Sequence, residues 1–460
     1  MNSDLMGFDE LSRLENSRRF SFSSVNGFSS VAIDSRNVKE GALFFALQGA
    51  SSDGHNFITN AFNSGAAGAM VESSKLESFD LVNLAKKFNK ELIVVHNTLK
   101  GLQDCARLYL EKFNNLLKIG ITGSCGKSTT KEITAAIISS EKNTVMNKGN
   151  LNSETGLPLS VFEVRSHHEV GVFELGMNRH GEISEIANVL KPNIALVTNI
   201  GSSHIEFFGT KEKILNEKKC IFNFLKNDDI ALVPAKDNYA KQLADGVTGN
   251  VKFYGEDNLP ELEGARCLGL EGTEISFAGE KIHFALPGRH CLEDAIAAIA
   301  IAKEIPVSNS AIKKGLESVK PLFGRQEILK GRFTVIRDCY NASPESTRHS
   351  IEFCDSLEGA GRKVYVIADM LELGETSKSA HERIGSLLSA SKAGKVFLFG
   401  KEIKAAVSFM NEKPYFYTDN IKQLSCALEK FLLPGDLVLL KGSRGLALER
   451  LTPVLGVSDD

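Results

Sequence analysis

Apolar positions along the chain fall into short buried runs separated by longer amphipathic stretches, an alternation that reads as strands and helices. Over the first hundred-odd residues the elements are short and mixed. VAIDSRNVKEGALFFAL holds two strand-like runs around a turn at Lys39–Gly41, ITNAFNSGAAGAMVE reads as a helix leading into a strand, ELIVVH as a buried strand, and TLKGLQDCARLYLEKF has helical spacing. A second unit begins near Leu116. There NLLKIGITG predicts a buried strand and KSTTKEITAAIISS the helix after it, while VGVFELG and NIALVTNIG are further apolar strands, each followed by a helical stretch. Between about 250 and 287 the runs VKFYG, EISFAG and KIHFAL alternate polar and apolar positions and predict antiparallel hairpins at the sheet's edge, before the long helix of RHCLEDAIAAIAIAKEI. From Phe323 a third unit carries the strands RFTVIRDCY, KVYVIADM, KVFLFG and DLVLLKG, spaced by helix-length segments as in a doubly wound sheet. The expectation is an α/β chain of three domains: an N-terminal mixed α/β domain over residues 1–113, a central parallel sheet of the P-loop ATPase type over 114–322, and a C-terminal Rossmann-like domain over 323–460.

The chain's 460 residues suffice for that many cores, and its formal net charge of −3 provides no basic field to attract nucleic acid or an anionic membrane. No apolar run reaches membrane-spanning length and the polar N-terminal twenty residues lack a secretory core, so the expected compartment is the cytoplasm. The 8 cysteines are scattered without a C-x-x-C pair, which argues for reduced thiols and against a zinc or disulfide framework.

The strongest local signal is Thr122-Gly-Ser-Cys-Gly-Lys-Ser128, continued by Thr129, which follows a buried strand and opens a helix. Glycines let backbone N–H groups approach phosphate oxygens, and the helix N-terminus adds partial positive charge. Lys127 can reach the β- and γ-phosphates, and the Ser128 hydroxyl can ligate Mg2+. The spacing is shorter than a standard Walker loop, because Ile121 stands where its first glycine belongs. Glu174 ends one strand of the same unit and His204 follows the next, both at strand carboxyl ends where a metal or phosphate is bound in parallel sheets. Lys218 has only the spacing of a solvated helix lysine, and Arg325, Asp338 and Asn341 form a cluster where the third unit begins.

Together these segments resemble the Mur ligases, the amide-forming enzymes of peptidoglycan precursor synthesis. TGSCGKS fits the family's T-G-[ST]-x-G-K-[ST] loop, and NLNSETGLPLS, FELGMNRHGEI, NIGSSHIEFFGTKEKILNEKKCIF, PGRHCLEDAIAAIAIA, FGRQEI, RDCYNASPESTRHSIEF, DMLELGE and LLKGSRGLALERL follow in family order. IDSRNVKEGALFFALQGASSDGHNF, DCYNASPES, DMLELGE and LKGSRG are most similar to members that add D-alanyl-D-alanine to UDP-N-acetylmuramoyl-tripeptide. The D-Y-A-H-T-P and D-N-P-R runs typical of the ligase for the third peptide residue are not in the chain.

The resemblance implies ATP as substrate and two Mg2+ sites, a monomeric enzyme, and a reaction through an acyl-phosphate. It places Thr122, Gly123, Ser124, Cys125, Gly126, Lys127, Ser128 and Thr129 around the triphosphate, with Arg325 and Asp338 reaching ATP from the third domain. Ser128, Glu174, His204 and Lys218 would serve the metals, Lys218 matching a lysine that several members convert to a carbamate; Lys127, His204 and Lys218 are the expected catalytic set. Asp34, Ser35 and Arg36 would meet the UDP end, Asn152 and Ser153 the muramoyl part, and Asn341, Ser443 and Arg444 the incoming dipeptide. Four positions depart from the family pattern. Cys291 and Asp294 stand for the two asparagines of an N-x-x-N run whose second member meets adenine, Ala368 replaces a glycine, and Ser343 replaces an asparagine. Asp294 is carried over to adenine, where an ionised carboxylate could accept from N6 but could not donate to N7.

The rivals are a sibling ligase, a folate polyglutamate synthase, a P-loop NTPase that switches rather than ligates, and a non-catalytic nucleotide-binding scaffold. The IDSR…DGHNF segment argues against the folate enzyme, and the Glu174, His204 and Lys218 set argues against a simple switch. Because Cys125 lies inside the loop, alkylating its thiol is expected to abolish ATP-dependent activity; full activity after stoichiometric modification of Cys125, shown by mass spectrometry, would remove it from the phosphate site.

Overall fold

The computed structural model describes residues 5–359 and 361–457. The chain forms two compact units, one of Met1–Gly120, Asn143–Met177 and Gly181–Asn193, the other of Ile121–Lys142, Asn178–His180 and Ile194–Asp460.

In the first unit a five-stranded sheet runs in the order Arg18–Phe20, Glu91–Val95, Gly68–Glu72, Ala42–Phe45, Ser30–Ala32. Its first strand is antiparallel to its neighbour and the rest are parallel. Phe44, Ala69, Val71, Leu92 and Val94 bury one face of this sheet against Ile58, Ala61 and Phe62 of the helix Ile58–Asn63 and against Leu81 and Ala85 of the helix Leu81–Phe88. The edge is closed chemically as well as sterically: buried Glu91 accepts from Arg19 Nε at 2.7 Å and from the hydroxyls of Ser21 and Ser23. In the same unit the strands Thr144–Met146 and Val170–Glu174 pair in parallel, and the helix Thr98–Leu110 packs on Gly156–Val161 and Glu182–Leu190.

The second unit contains the parallel ladder Ile194–Val197, Ile230–Pro234, Asn250–Tyr254. Here the expectation for VKFYG is corrected. It is not a hairpin arm but a parallel strand, in register with Ile230–Pro234 from Asn250 to Tyr254. Its alternation marks a strand with one exposed face, and that pattern is the same for a parallel edge as for a hairpin. The other two runs do form a hairpin, Thr273–Phe277 against Glu280–Phe284, and Leu262–Cys267 completes a separate three-stranded antiparallel sheet.

The last sheet of this unit has the order Glu327–Lys330, Thr334–Asp338, Leu437–Lys441, Lys363–Ala368, Lys395–Phe399, Tyr415–Thr418. Only the first strand is antiparallel. Both faces are covered, which is why its strands read as unbroken apolar runs. Ile336, Tyr365, Ile367, Leu398, Leu437 and Leu439 face the helices Pro344–Ser356 and Ser377–Ala390, while Val335, Val364, Val366, Phe397, Val438 and Leu440 face Ile421–Phe431. The strand latest in the chain, Leu437–Lys441, lies between the earlier strands Thr334–Asp338 and Lys363–Ala368, so Asp338 and Lys441 end side by side at neighbouring carboxyl ends.

The loop predicted to hold phosphate opens the helix Lys127–Ser139, which packs against Arg289–Ala302 and Asn309–Ser318. Ser308 caps the last of these by accepting from Ala311 N. Gly315 makes the close approach possible, since a Cβ there would stand 2.3 Å from Ile137 Cα. Gly315→Leu is expected to cost about 1–3 kcal/mol through overpacking. A lowered melting temperature together with weakened nucleotide binding is the expected outcome, because this contact seats the helix whose first turn ends the loop.

Candidate active site

Two glycines shape the loop. Gly123 has φ 151° and Gly126 φ 82°, and a Cβ at either would collide, with Thr198 Oγ1 at 1.8 Å and with Asp294 Oδ1 at 2.0 Å respectively. Asn199 clasps the peptide between them: Cys125 N donates to its Oδ1 at 3.0 Å, and its Nδ2 donates to Cys125 O at 3.1 Å. Thr198 Oγ1 donates to the same carbonyl, and Ser124 N donates to Asn199 O. Lys127 Nζ folds back to Gly123 O at 2.9 Å. Lys218, 1% exposed, donates to that carbonyl at 2.8 Å from the helix Lys211–Lys219. The lysine whose spacing suggested a solvated helix face therefore lies under the loop.

Beside the loop is a cavity of about 380 Å3. Ser124, Cys125, Gly126, Lys127, Ser128 and Thr129 line it, together with Asp294, Arg325, Asp338 and Asn341. Arg325 lies over the Tyr340 ring, its guanidinium carbon 4.3 Å from the centroid, and donates to Ser128 Oγ at 3.0 Å. Asp338 is buried and receives Lys441 Nζ at 2.8 Å and Ser350 Oγ at 2.6 Å. Burial alone would raise its carboxyl, but the charge and hydrogen bond of Lys441, helped by Ser350, hold it below the usual aspartate value. His290, also on the lining, is pushed down to about 4 by burial and is therefore neutral at physiological pH. It stacks on His349 with ring centroids 5.8 Å apart.

Other expected site residues lie outside this lining. His204 has left-handed backbone, φ 65°, and its Nδ1 stands 2.6 Å from Glu372 Oε2 of the DMLELGE run. That contact, opposed by burial, keeps the Glu372 carboxyl below the usual range. Ser443 is buried, accepting from Leu371 N at 2.9 Å, while Arg444 is ion-paired to Glu449. In the first unit, Glu174 is buried and accepts from Asn152 Nδ2 at 2.7 Å, and Ser153 Oγ accepts from Gly156 N. A smaller hollow of about 270 Å3 there is lined by Asp34, Asn37, Lys148, Leu151, Ser160 and Glu163 among others. Ser35 and Arg36 flank it without lining it; hydrogen bonds from the Arg36 side chain and from its amide hold the Asp34 carboxyl down at about 2.

Sequence reasoning passed over Asn199, Thr198 and Lys441. Asn199 and Thr198 directly follow the strand Ile194–Val197, and Lys441 ends its own strand, so position at a carboxyl end was the available signal. For the nucleotide-borne metal, Ser128 Oγ is a fitting oxygen at the cavity wall, since Mg2+ carried with a nucleotide takes one or two protein oxygens beside phosphate.

A strand–loop–helix phosphate site facing a doubly wound sheet defines an α/β nucleotide-dependent enzyme. Three family models match in succession: the Mur ligase family catalytic domain over residues 28–109, the Mur ligase middle domain over 121–302, and the glutamate ligase domain of Mur ligases over 324–444. The chain belongs to the Mur ligase family, with its N-terminal, central and C-terminal domains in that order. It is 39% identical to the UDP-N-acetylmuramoyl-tripeptide–D-alanyl-D-alanine ligase of Treponema pallidum, over 98% of this chain and 99% of that one. It is 34% identical to the enzyme of the same name from Bacillus subtilis, over 92% of each. Among solved structures it is similar to MurF from Acinetobacter baumannii, with a TM-score of 0.88, 26% identity and coverage of 97% and 98%. It is also similar to MurF ligase from Thermotoga maritima in complex with ADP, with a TM-score of 0.76, 27% identity and coverage of 93% and 97%.

Lys441→Met strands the Asp338 carboxylate without its cation and is expected to cost about 3–5 kcal/mol, read as a drop in melting temperature at neutral pH. The folded carboxyl titrates below the ordinary value of 3.8, so the pair's contribution is complete above that pH and is lost as pH falls further. The two proteins should therefore converge in stability in acid.

Proposed function

We propose that this chain joins D-alanyl-D-alanine to UDP-N-acetylmuramoyl-tripeptide, consuming ATP. The observation that carries the reading is the single cavity that gathers the phosphate loop with Arg325, Asp338 and Asn341, residues far apart in sequence, in a chain related end to end to ligases of that name. The domains are taken as 1–113 for the UDP-substrate, 114–322 for ATP and 323–460 for the amine, in a monomer working in the cytoplasm.

In the first step an oxygen of the tripeptide's terminal carboxylate attacks the γ-phosphorus of ATP. The bond from that phosphorus to the β–γ bridging oxygen breaks, leaving ADP and an acyl-phosphate. The dipeptide's amine then attacks the acyl carbon, loses a proton, and phosphate leaves from the tetrahedral intermediate. Phosphoryl transfer of this kind depends on positioning and on neutralising charge. Lys127 and the first-turn N–H groups of the helix Lys127–Ser139 meet the triphosphate, and Arg325 brings a second cation to the same wall. Asp338, held by Lys441 and Ser350, is assigned to the ribose. Ser128, Glu174, His204 and Lys218 are the residues to hold Mg2+ at two sites, Lys218 only as a carbamate, because an ammonium cannot ligate a cation. When bound, Mg2+ neutralises the β- and γ-phosphate oxygens. Asp34, Ser35 and Arg36 are assigned to the UDP end and Asn152 and Ser153 to the muramoyl part. Asn341, Ser443 and Arg444 are assigned to the dipeptide, and Thr122 through Thr129 with Asp294 to ATP. Water must be kept from the acyl-phosphate, which closure of the domains around both substrates provides.

Phosphate release from ATP and Mg2+ is expected only with both UDP-muramoyl-tripeptide and D-Ala-D-Ala present, with a pentapeptide product by mass. Lys127→Ala should lower kcat by at least about a hundredfold, the scale of losing one preorganised electrostatic contact. Release indifferent to either acceptor would replace the ligase reading with a plain NTPase.

A further inference from the structure

Asp294 occupies an unusual place for a carboxylate. It lies near the start of the helix Arg289–Ala302, is 7% exposed, and its Oδ1 presses on the phosphate loop at Gly126. Thr130 Oγ1 donates to the same oxygen at a long 3.4 Å. Among the described residues no cation lies within ion-pair distance of it, although Asp338 across the same cavity has Lys441. The groups facing Asp294 are Glu293 and Cys291 on its own helix, Thr130 on the loop's helix, Tyr254 at its strand end, Asp237 beyond Tyr254, and Arg325 at longer range. Tyr254 spends its hydroxyl proton on the carbonyls of Val197 and Thr198, so it donates nothing to Asp294.

An anion there would be buried without a paired cation and would stand against a loop built to receive a triphosphate, two penalties of the same sign. Burial, reinforced by Glu293 and only partly offset by Arg325 and Thr130, pushes this carboxyl well above the usual aspartate range. A neutral carboxylic acid carries one O–H donor beside one acceptor oxygen. That is the pattern that complements adenine, whose N6 amine donates and whose neighbouring ring nitrogen accepts, and it is the pattern an asparagine amide uses.

We propose that Asp294 reads the nucleotide base as an uncharged carboxylic acid, donating to a ring nitrogen while accepting from N6, and that its deprotonation releases the nucleotide. The inference rests on reading the cavity as the ATP site. It turns the replacement of asparagine by aspartate from a defect into a proton-dependent contact: the two side chains are equivalent while the acid is protonated and diverge once it ionises. Guanine, which presents acceptors only at the corresponding edge, leaves the acid's acceptor oxygen unused in either state.

The test is ADP binding by calorimetry from about pH 6 to about pH 9, spanning the range reached by buried carboxyls, for the wild-type chain, Asp294→Asn and Asp294→Ala. For the wild type, Kd is expected to rise at least about tenfold across the range, one pKa unit's worth of coupling. Asp294→Asn should show no comparable rise, and Asp294→Ala should bind weakly at every pH. Circular dichroism establishes that each variant is folded. An infrared difference between wild type and Asp294→Asn at neutral pH should show the C=O stretch of a protonated acid. Superimposable pH profiles for wild type and Asp294→Asn, or a carboxylate band in place of the acid, would overturn the proposal while leaving the ATP site intact. If ADP binds no form of the protein at any pH, the reading of the cavity falls, and this proposal with it.

Discussion

The clasp of Asn199 on the peptide of Cys125 is the interaction on which the site's geometry depends. One side chain takes up both the N–H and the carbonyl of a residue in the middle of the loop, and Thr198 adds a second donor to that carbonyl. The loop's curvature is thereby set from the end of the strand Ile194–Val197. Preorganisation of this kind matters because dipoles that are already oriented cost no reorganisation when charge develops in a transition state. Lys218 braces the loop from beneath through Gly123 O, and the two glycines admit conformations and approaches that no Cβ would survive.

Charge around the cavity is arranged by pairing and by protonation more than by excess cations. Asp338 is ionised but matched by Lys441, His290 is kept neutral by burial, and burial together with Glu293 pushes the Asp294 carboxyl well above the usual aspartate range. Lys127 and Arg325 bring cationic side chains to the wall beside the loop. A net charge of −3 is thus compatible with a polyanion site, because the local balance is set by which acids are allowed to ionise.

The topology of the last sheet explains how residues from two ends of the chain reach that cavity. Inserting Leu437–Lys441 between Thr334–Asp338 and Lys363–Ala368 creates a switch point, and the carboxyl ends beside it carry Asp338 and Lys441. Ligands of open parallel sheets gather at such points. Asn341, three residues past Asp338, is carried to the same wall, whereas Ser443, two residues past Lys441, turns inward to hold Leu371 N.

The chain's order of apolar runs determined most of the fold, because strands covered on both faces, such as Lys363–Ala368 and Leu437–Lys441, read as unbroken hydrophobic segments. TGSCGKS determined the phosphate loop, because glycine spacing ahead of a helix is a local requirement. VKFYG was misjudged as a hairpin arm because alternation reports which face is wet and is silent on the partner strand's direction. Lys218 could be placed under the loop only by tertiary structure, since its helix brings one lysine against Gly123 and leaves Lys219 half-exposed. The protonation state of Asp294 belongs to the same class. Its identity is written in the sequence, but whether it is charged depends on the burial, the Glu293 neighbour and the missing cation that packing alone supplies.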